Sequence, residues 1–139
     1  MAGVEVRAQF DVPSERLWSV ISDFGNVAWI PGMEGVRVEG SGPGMTRFLP
    51  AGKVEIHERL ESVDDAAKTL VYTIPENIPF PVTDYRATMR VDAAAGGCRL
   101  TWSCSYEPTG VSAKEAEHTV RSLYEMMIGW IREYLVSRH

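Results

Sequence analysis

The alternation of apolar and polar residues predicts one strand, two short helices, about six further strands and one long helix, in that order. Residues Val4 to Phe10 alternate as in a strand with one buried face. From Pro13 to Phe24 apolar residues recur at helical spacing, and we expect a second short turn of helix over Asn26 to Pro31. From Val36 to Tyr106 the period is two again, in segments separated by turns rich in Gly, Asp and Pro.

The last quarter of the chain, Val111 to His139, has the pattern of one long amphipathic helix. Ser112 and Glu115 have the spacing of a capping box, which fixes where the helix begins. At about 100° per residue, a broad arc of apolar side chains then faces one side. The arc consists of Ala113, Ala116, Val120, Leu123, Tyr124, Met127, Ile128, Trp130, Ile131, Tyr134 and Leu135. An apolar stripe this wide requires a curved partner surface.

These elements together predict an α+β fold. Consecutive strands joined by short turns form an antiparallel sheet, and one apolar face per strand means that only one face is covered. A sheet of about seven strands twists and curls, so we expect its concave side to wrap around the long helix. Because a curved sheet meets a straight helix along only part of its length, a cavity between them is expected.

Length and charge narrow the class of protein. A chain of 139 residues is expected to form one domain over residues 1–139. The net charge of −5 argues against a nucleic-acid partner, and no apolar run reaches the roughly 18–20 residues of a membrane span. Because Met1 to Phe10 alternates charged with apolar residues, it is no signal peptide, and we expect a cytoplasmic protein. Both a monomer and a homodimer through a strand edge stay open.

The cysteines and histidines predict neither a disulfide nor a metal site. Cys98 and Cys104 lie six residues apart on one predicted strand, which separates them by about 20 Å and leaves two free thiols. With only His57, His118 and His139 besides, no zinc-ligand spacing can be assembled. We therefore expect no structural metal.

A set of short motifs follows the order of the predicted elements. They are Val12-Pro13-Ser14-Glu15-Arg16-Leu17-Trp18, Asp23-Phe24-Gly25-Asn26, Trp29-Ile30-Pro31-Gly32, Glu39-Gly40-Ser41-Gly42-Pro43-Gly44, Glu58-Arg59-Leu60 with Asp64-Asp65, Leu70-Val71-Tyr72, Asp84-Tyr85-Arg86-Ala87-Thr88 and Thr101-Trp102-Ser103. Together they resemble the START-like or birch-pollen-allergen-like (SRPBCC) superfamily, in its bacterial polyketide cyclase/dehydratase and lipid-transport-like branch. The resemblance implies the helix-grip fold, an enclosed apolar pocket entered between loops, and no obligatory cofactor.

Glu58 is the most informative single residue, because it puts a charge on a strand face that is otherwise apolar. An unpaired carboxylate there would cost several kcal/mol. Glu58 therefore either pairs with an arginine, swings out beside a strand bulge, or has a raised pKa and acts as an acid or base in the cavity. All three interpretations stay open at this point.

Large aromatic side chains with polar tips share the inward parity of the strands. They suit a flat apolar ligand, although a dry aromatic core is an equal alternative. The expected ligand-binding set is Trp29, Phe48, Glu58, Tyr72, Tyr85, Trp102, Met127 and Trp130. The loops Gly40 to Gly44 and Pro75 to Pro81 are either gates to the cavity or ordinary turns.

Two functions follow from this pattern. The first is the binding or transport of a small hydrophobic ligand, lipid-like or polyaromatic, driven by burial of apolar surface. The alternative is a cofactor-free cyclase or aromatase in which Glu58 acts as acid or base and Tyr85 or Tyr72 donates a hydrogen bond to a substrate carbonyl. A third possibility is a partner-binding module whose interior is only packed core.

Overall fold

The structure is a computed structural model that describes residues 2–33 and 35–137. These residues form seven strands and two helices, joined by turns and loops. In chain order they are β1 (Ala2–Phe10), α1 (Ser14–Ser22), β2 (Arg37–Glu39), β3 (Thr46–Ala51), β4 (Val54–Asp64), β5 (Thr69–Glu76), β6 (Val82–Ala94), β7 (Gly97–Pro108) and α2 (Ala113–Ser137). The long helix expected to run to His139 is thus seen up to Ser137, and the last two residues lie outside the described part.

The seven strands form one antiparallel sheet in the order β1-β7-β6-β5-β4-β3-β2. This confirms the predicted antiparallel α+β architecture. The helix α2 packs across the inner face, mainly against β1. Its buried residues are Ala116, Val120, Tyr124, Ile128, Ile131 and Leu135. The buried stripe is narrower than the predicted arc, because Ala113 is exposed and residues such as Leu123 and Trp130 are only half-buried.

Both ends of α2 have hydrogen-bond partners. At the start, the Glu115 amide donates to Ser112 Oγ at 3.1 Å, as the capping box predicts. At the end, Arg16 of α1 donates from Nη2 to the Leu135 carbonyl oxygen at 2.7 Å. The last turn of α2 contains no basic residue. Arg16 therefore supplies the positive charge that a helix C-terminus favours.

Two arginines of α2 cover the free edge of β1. Arg121 donates from Nη1 to the Glu5 carbonyl oxygen at 3.2 Å, and Arg132 donates from Nη1 to the Gln9 carbonyl oxygen at 2.6 Å. The Arg132 guanidinium also lies 4.4 Å from the centre of the Phe10 ring. These contacts occupy backbone acceptors that an edge strand would otherwise offer to another chain.

The second short helix expected over Asn26 to Pro31 is absent from the structure. This segment forms separate turns, with the Ile30 amide donating to the Val27 carbonyl oxygen at 2.8 Å. The Asn26 side chain accepts a hydrogen bond from the Ala28 amide at 3.0 Å. That prediction was wrong because the Asn side chain offers the backbone a local alternative to helical hydrogen bonds.

Both cysteines lie on β7, and both are free thiols, as predicted. Cys98 is buried and Cys104 is half-buried. Their side chains share the inner face of the sheet with Leu100 and Trp102, at alternating positions. This regular alternation extends over most of β7 and positions Trp102 beneath α2.

Candidate functional site

A chain of hydrogen-bonding aromatic side chains lies between the inner face of the sheet and α2. Trp102 Nε1 donates to the Tyr72 hydroxyl at 3.2 Å, and the Tyr72 and Tyr85 hydroxyls are 3.4 Å apart. The Tyr85 hydroxyl in turn bonds that of Tyr124 on α2. The Trp102 and Tyr124 rings stack with their centres 4.5 Å apart. All four side chains are buried. We call them the aromatic cluster.

The strand register explains why these side chains meet. Tyr72 on β5 lies opposite Ala87 on β6, and Trp102 on β7 lies opposite Met89. Ala87 lies between Tyr72 on β5 and Cys104 on β7, so no large side chain of β6 separates Tyr72 from β7 at this level. Tyr85 shares the inward parity of Ala87 and Met89, and a register shift between Thr83 and Arg86 places Val82 in the interior as well.

Asp84 stands immediately before Tyr85 in this irregular stretch of β6. Its φ of 55° lies in the left-handed region that non-glycine residues seldom adopt. Such backbone strain persists where the surrounding structure holds it in place, and it is common at functional sites. Asp84 therefore lies at the irregularity that allows both Val82 and Tyr85 to be buried.

Burial keeps the phenols of the aromatic cluster protonated. Burial raises the pKa of Tyr72 above its ordinary value, and the nearby Glu58 carboxylate raises it further. The pKa values of Tyr85 and Tyr124 are also raised, first by burial and then by the neighbouring Tyr72. At neutral pH these hydroxyls are therefore neutral donors and acceptors, and they do not serve as bases.

Glu58 faces the interior as an ion pair with Arg47 on the neighbouring strand. Glu58 Oε1 accepts from both Arg47 Nη2 at 2.7 Å and Nε at 2.8 Å. Arg47 Nη1 also donates to the Phe24 carbonyl oxygen at 2.9 Å, and the guanidinium lies 3.8 Å from the centre of the Phe24 ring. Of the interpretations left open by the sequence, the geometry matches the arginine-paired carboxylate.

A cavity opens where β5 and β6 separate. The ladder between the two strands ends at the pair Thr73 and Arg86, and the chain beyond forms a pocket of about 560 Å³. Its residues are Arg59, Thr73, Ile74, Pro75, Glu76, Asn77, Ile78, Val82, Thr83, Asp84, Tyr85 and Arg86. The apolar side is formed by Ile74, Ile78 and Val82. Tyr85 belongs both to this cavity, which we call the β5–β6 cavity, and to the aromatic cluster.

The loop between β5 and β6 forms one border of this cavity. Phe80 packs edge-on against Tyr85, with the ring centres 5.1 Å apart. Asn77, whose φ is 60°, anchors the loop by donating from Nδ2 to the Glu55 carbonyl oxygen at 3.0 Å. At the other end of the loop, the Thr109 amide donates to the Pro81 carbonyl oxygen at 2.9 Å. The loop is thus pinned at both ends, with Phe80 between them.

Some of the predicted ligand-binding residues lie apart from the aromatic cluster. Trp29 and Trp130 line a separate pocket of about 350 Å³ between α2 and the loop that follows α1. Met127 is half-buried and packs against the core. Phe48 lies on the outer face, where its ring packs against His57 at 4.7 Å and under the Arg37 guanidinium at 3.7 Å.

The expectation that Phe48 closes the same space as Tyr72 is therefore wrong. Arg47 and Phe48 are consecutive on β3, and successive strand side chains point to opposite faces. Because Arg47 points inward to Glu58, Phe48 must point outward. The alternation of residues along β3 did not show which of them face inward, because a buried arginine was not expected at the inward position.

Sequence reasoning missed three residues of this region: Arg47, Phe80 and Tyr124. Tyr124 lay on the predicted apolar arc, and its hydroxyl was the available signal that it could join the inward tyrosines. Arg47 could also have been predicted, because an inward carboxylate on one strand is stable only with a cation near it, and the neighbouring strand can provide one. Phe80 had none, because loop side chains follow no periodicity.

Two further findings concern the described residues as a whole. Within residues 2–33 and 35–137, no group of three or more His, Cys, Asp or Glu side chains is arranged to hold a metal ion. In the same part of the chain, neither helix is both long and apolar enough to cross a membrane.

A comparison with protein families gives one match over nearly the whole chain. The model of the family described as polyketide cyclase/dehydrase and lipid transport matches residues 1–135. No curated protein sequence matches the chain.

Solved structures of similar fold are numerous. The solution structure of a Thermobifida fusca protein is 27% identical, covers 96% of this chain and 93% of its own, and has a TM-score of 0.82. An uncharacterised protein from Bacillus thuringiensis is 26% identical over 97% of this chain and 99% of its own, with a TM-score of 0.81. The structure of Ara h 8.0201 is 21% identical, covers 98% of both chains and has a TM-score of 0.79, a likeness of fold alone.

Proposed function

The chain belongs to the polyketide cyclase/dehydrase and lipid transport family, and from this premise we propose that it binds a small, largely apolar ligand through the β5–β6 cavity. The ligand would lie against Ile74, Ile78 and Val82 and reach the aromatic cluster at Tyr85. Burial of apolar surface would supply most of the affinity, at about 25 cal/mol per Å². The family and the fold support hydrophobic ligand binding in general.

The position of Tyr85 is the observation on which this proposal rests. Its side chain is in contact with the cavity and also with the buried hydroxyls of Tyr72 and Tyr124. The Tyr72–Tyr85 contact of 3.4 Å is long for an O–H···O hydrogen bond, which is ordinarily about 2.7–2.8 Å. A ligand carbonyl oxygen between the two hydroxyls would accept shorter bonds from both. We therefore propose an apolar ligand that carries a hydrogen-bond acceptor.

Phe80 is the side chain that would move to admit the ligand. It lies on the loop between the anchored residues Asn77 and Pro81, and its ring packs edge-on against Tyr85, which lines the cavity. A rotation of one phenyl ring would extend the cavity toward the aromatic cluster without breaking either anchor. Loop side chains of this kind move faster than the strands that carry the loop.

Titration with Nile red, a neutral apolar fluorophore, tests the proposal. The wild-type protein is expected to bind it saturably. Ile78→Asp puts a charge on the apolar wall of the cavity and should weaken binding by about tenfold or more. Met126→Asp is the matched control, because Met126 is 45% exposed on α2 and does not line the cavity. An absence of saturable binding, or equal weakening by both variants, would contradict the proposal.

The cyclase alternative has less support from the geometry. A general base needs a free carboxylate with a pKa near the working pH, whereas Arg47 holds Glu58 as an ion pair from the next strand. The enzyme would then rely on hydrogen bonds from Tyr85 and Tyr72 to a substrate carbonyl. Turnover of a poly-β-keto thioester that survives in Glu58→Gln but is lost in Tyr85→Phe would favour this version over one with Glu58 as the base.

A further inference from the structure

The outer face of the sheet carries a concentration of arginines that is unexpected for a chain with a net charge of −5. Arg7 on β1 and Arg90 on β6 both lie directly opposite Thr101 on β7. Arg99 lies two residues from Thr101 on the same strand and therefore on the same face. We call Arg7, Arg90 and Arg99 the arginine cluster. Directly opposed residues have Cβ atoms about 4.5–5.5 Å apart, so Thr101 lies between the three side chains.

The charges of the arginine cluster are only partly balanced. Arg7 pairs with Glu5 at 2.7 Å, and Arg90 pairs with Asp92 at 3.0 Å. Arg99 forms no ion pair among the described residues, since Asp92, which lies directly opposite it on β6, pairs with Arg90. Three like charges on one small patch repel each other, and two carboxylates leave one positive charge in excess.

The arginine cluster surrounds a shallow polar cavity of about 290 Å³. The residues that line it are Glu5, Arg7, Thr88, Arg90, Arg99, Thr101 and Ser103. Besides the guanidinium groups, the lining has three hydroxyls and one carboxylate, that of Glu5, which pairs with Arg7. Its volume exceeds that of several water molecules of about 30 Å³ each, so a hydrated anion has room.

We propose that this cavity binds a phosphoryl-type oxyanion at Thr101 within the arginine cluster. Guanidinium groups and hydroxyls lie around Thr101 on three neighbouring strands, so an anion bound there has donors within reach on several sides. A tetrahedral oxyanion has acceptor oxygens on every side and can satisfy them together. A carboxylate has only two oxygens, both in one plane, so it reaches fewer of these donors at once.

The site is separate from the β5–β6 cavity in its lining and in its ligand chemistry. No residue lines both cavities, and the proposed apolar ligand would lie against Ile74, Ile78 and Val82, which are not part of the arginine cluster. The oxyanion has two possible sources, free phosphate or the headgroups of an anionic lipid surface. The chemistry is the same for both, and the experiment has an arm for each.

The first arm titrates isotope-labelled protein with inorganic phosphate at constant ionic strength and follows the amide resonances of Thr88, Thr101 and Ser103. The second measures co-sedimentation with vesicles of equal parts phosphatidylcholine and phosphatidylglycerol, against vesicles of phosphatidylcholine alone. Arg99→Gln should weaken binding by about threefold or more. Arg7→Gln serves as a second variant. Arg37→Gln is the control, because it removes the same charge from an arginine that pairs with Glu39 and Glu55.

Phosphate should shift the amide resonances saturably. If the affinity is lower in Arg99→Gln and Arg7→Gln and unchanged in Arg37→Gln, the result would support the site with free phosphate as the ligand. If the protein binds the anionic vesicles, binds them less well in the cluster variants, and shows no change in amide resonances with phosphate, the result would support the site with a lipid headgroup as the ligand. The proposal is overturned if the protein responds to neither probe, or if Arg37→Gln weakens binding as much as Arg99→Gln. None of these outcomes depends on Nile red binding.

Discussion

Arg47 and Glu58 face each other across β3 and β4, with Nη2 and Oε1 2.7 Å apart and both side chains mostly buried. Removing one partner leaves the other as an uncompensated charge, so Glu58→Leu is expected to lower the free energy of unfolding by about 3–5 kcal/mol. The double variant Arg47→Met/Glu58→Leu should recover most of this loss, because an apolar pair of similar volume needs no counter-ion. Urea denaturation measures both. If the double variant is no more stable than Glu58→Leu, the ion pair does not account for the loss.

Tyr106 and Tyr124 should respond to loss of the hydroxyl with opposite signs. The Tyr106 hydroxyl is buried and has no hydrogen-bond partner among the described residues, so Tyr106→Phe is expected to stabilise the protein by about 1 kcal/mol. Tyr124→Phe removes the closer of the two hydroxyl partners of Tyr85 and should destabilise the protein by about 1 kcal/mol. The two variants delete the same atom, and each is the control for the other. Equal signs in thermal or urea unfolding would contradict the assigned hydrogen bonding.

Arg16 is expected to stabilise the end of α2 from another element. Its Nη2 donates to the Leu135 carbonyl oxygen, so Arg16→Ala should cost about 1 kcal/mol of stability. The loss should appear as faster amide exchange in the last turn of α2, with the first turn unchanged. Arg37→Ala is a suitable control, since Arg37 forms exposed ion pairs far from α2. Uniformly faster exchange along α2 would mean that Arg16 does not act locally.

Arg121 and Arg132 are expected to keep β1 from pairing with a second chain. Arg121→Ala/Arg132→Ala frees the carbonyl oxygens of Glu5 and Gln9 on an edge strand of nine residues. We expect a concentration-dependent dimer or larger aggregate in sedimentation velocity, where the wild type is less associated. Lys114→Ala removes a charge from the exposed start of α2 as a control. Unchanged sedimentation of the double variant would show that the arginines do not limit edge pairing.

The buried tyrosines predict a loss of stability in alkaline solution. The pKa values of Tyr72, Tyr85 and Tyr124 are raised above the ordinary value of about 10, because burial disfavours the phenolate. The contribution of these groups to the free energy of unfolding is fully present below the unfolded-state pKa of about 10. It falls as the pH rises further, since the unfolded chain then releases the protons first. Phenolate absorbance of these tyrosines should therefore appear together with the loss of near-ultraviolet circular dichroism. Phenolate formation by all three in the intact fold would contradict this.

The elements of the fold were predictable because each is a local feature of the chain. The capping box at Ser112 and the alternation from Val4 to Phe10 correctly predicted α2 and β1. The prediction of a second short helix was wrong for a local reason as well. The Asn26 side chain accepts a hydrogen bond from the Ala28 amide, which competes with the helical hydrogen bonds. Periodicity detects which face is buried, and it gives no weight to such side-chain competition.

The candidate site was predictable only in part. Tyr72, Tyr85 and Trp102 were expected on the inner face from their parity, and the structure brings them together. The register shift before Tyr85, which also buries Val82, is marked by no pattern. Phe48 was assigned to the wrong face because its neighbour Arg47 occupies the inward position that an apolar residue was expected to fill. Which inward residues touch each other depends on strand register and on α2.

By itself, the sequence determined the order of the seven strands, α1 and α2, the buried face of most of them, and the family, because backbone geometry links these to the spacing of residues along the chain. Tertiary structure alone decided that Glu58 meets Arg47, that Tyr85 meets Tyr124, and that Arg7, Arg90 and Arg99 converge on one threonine. The physical reason is that these partners are distant in sequence. They become neighbours only when strand pairing and helix packing fix their positions, and the energies of the charges and hydroxyls depend on those positions.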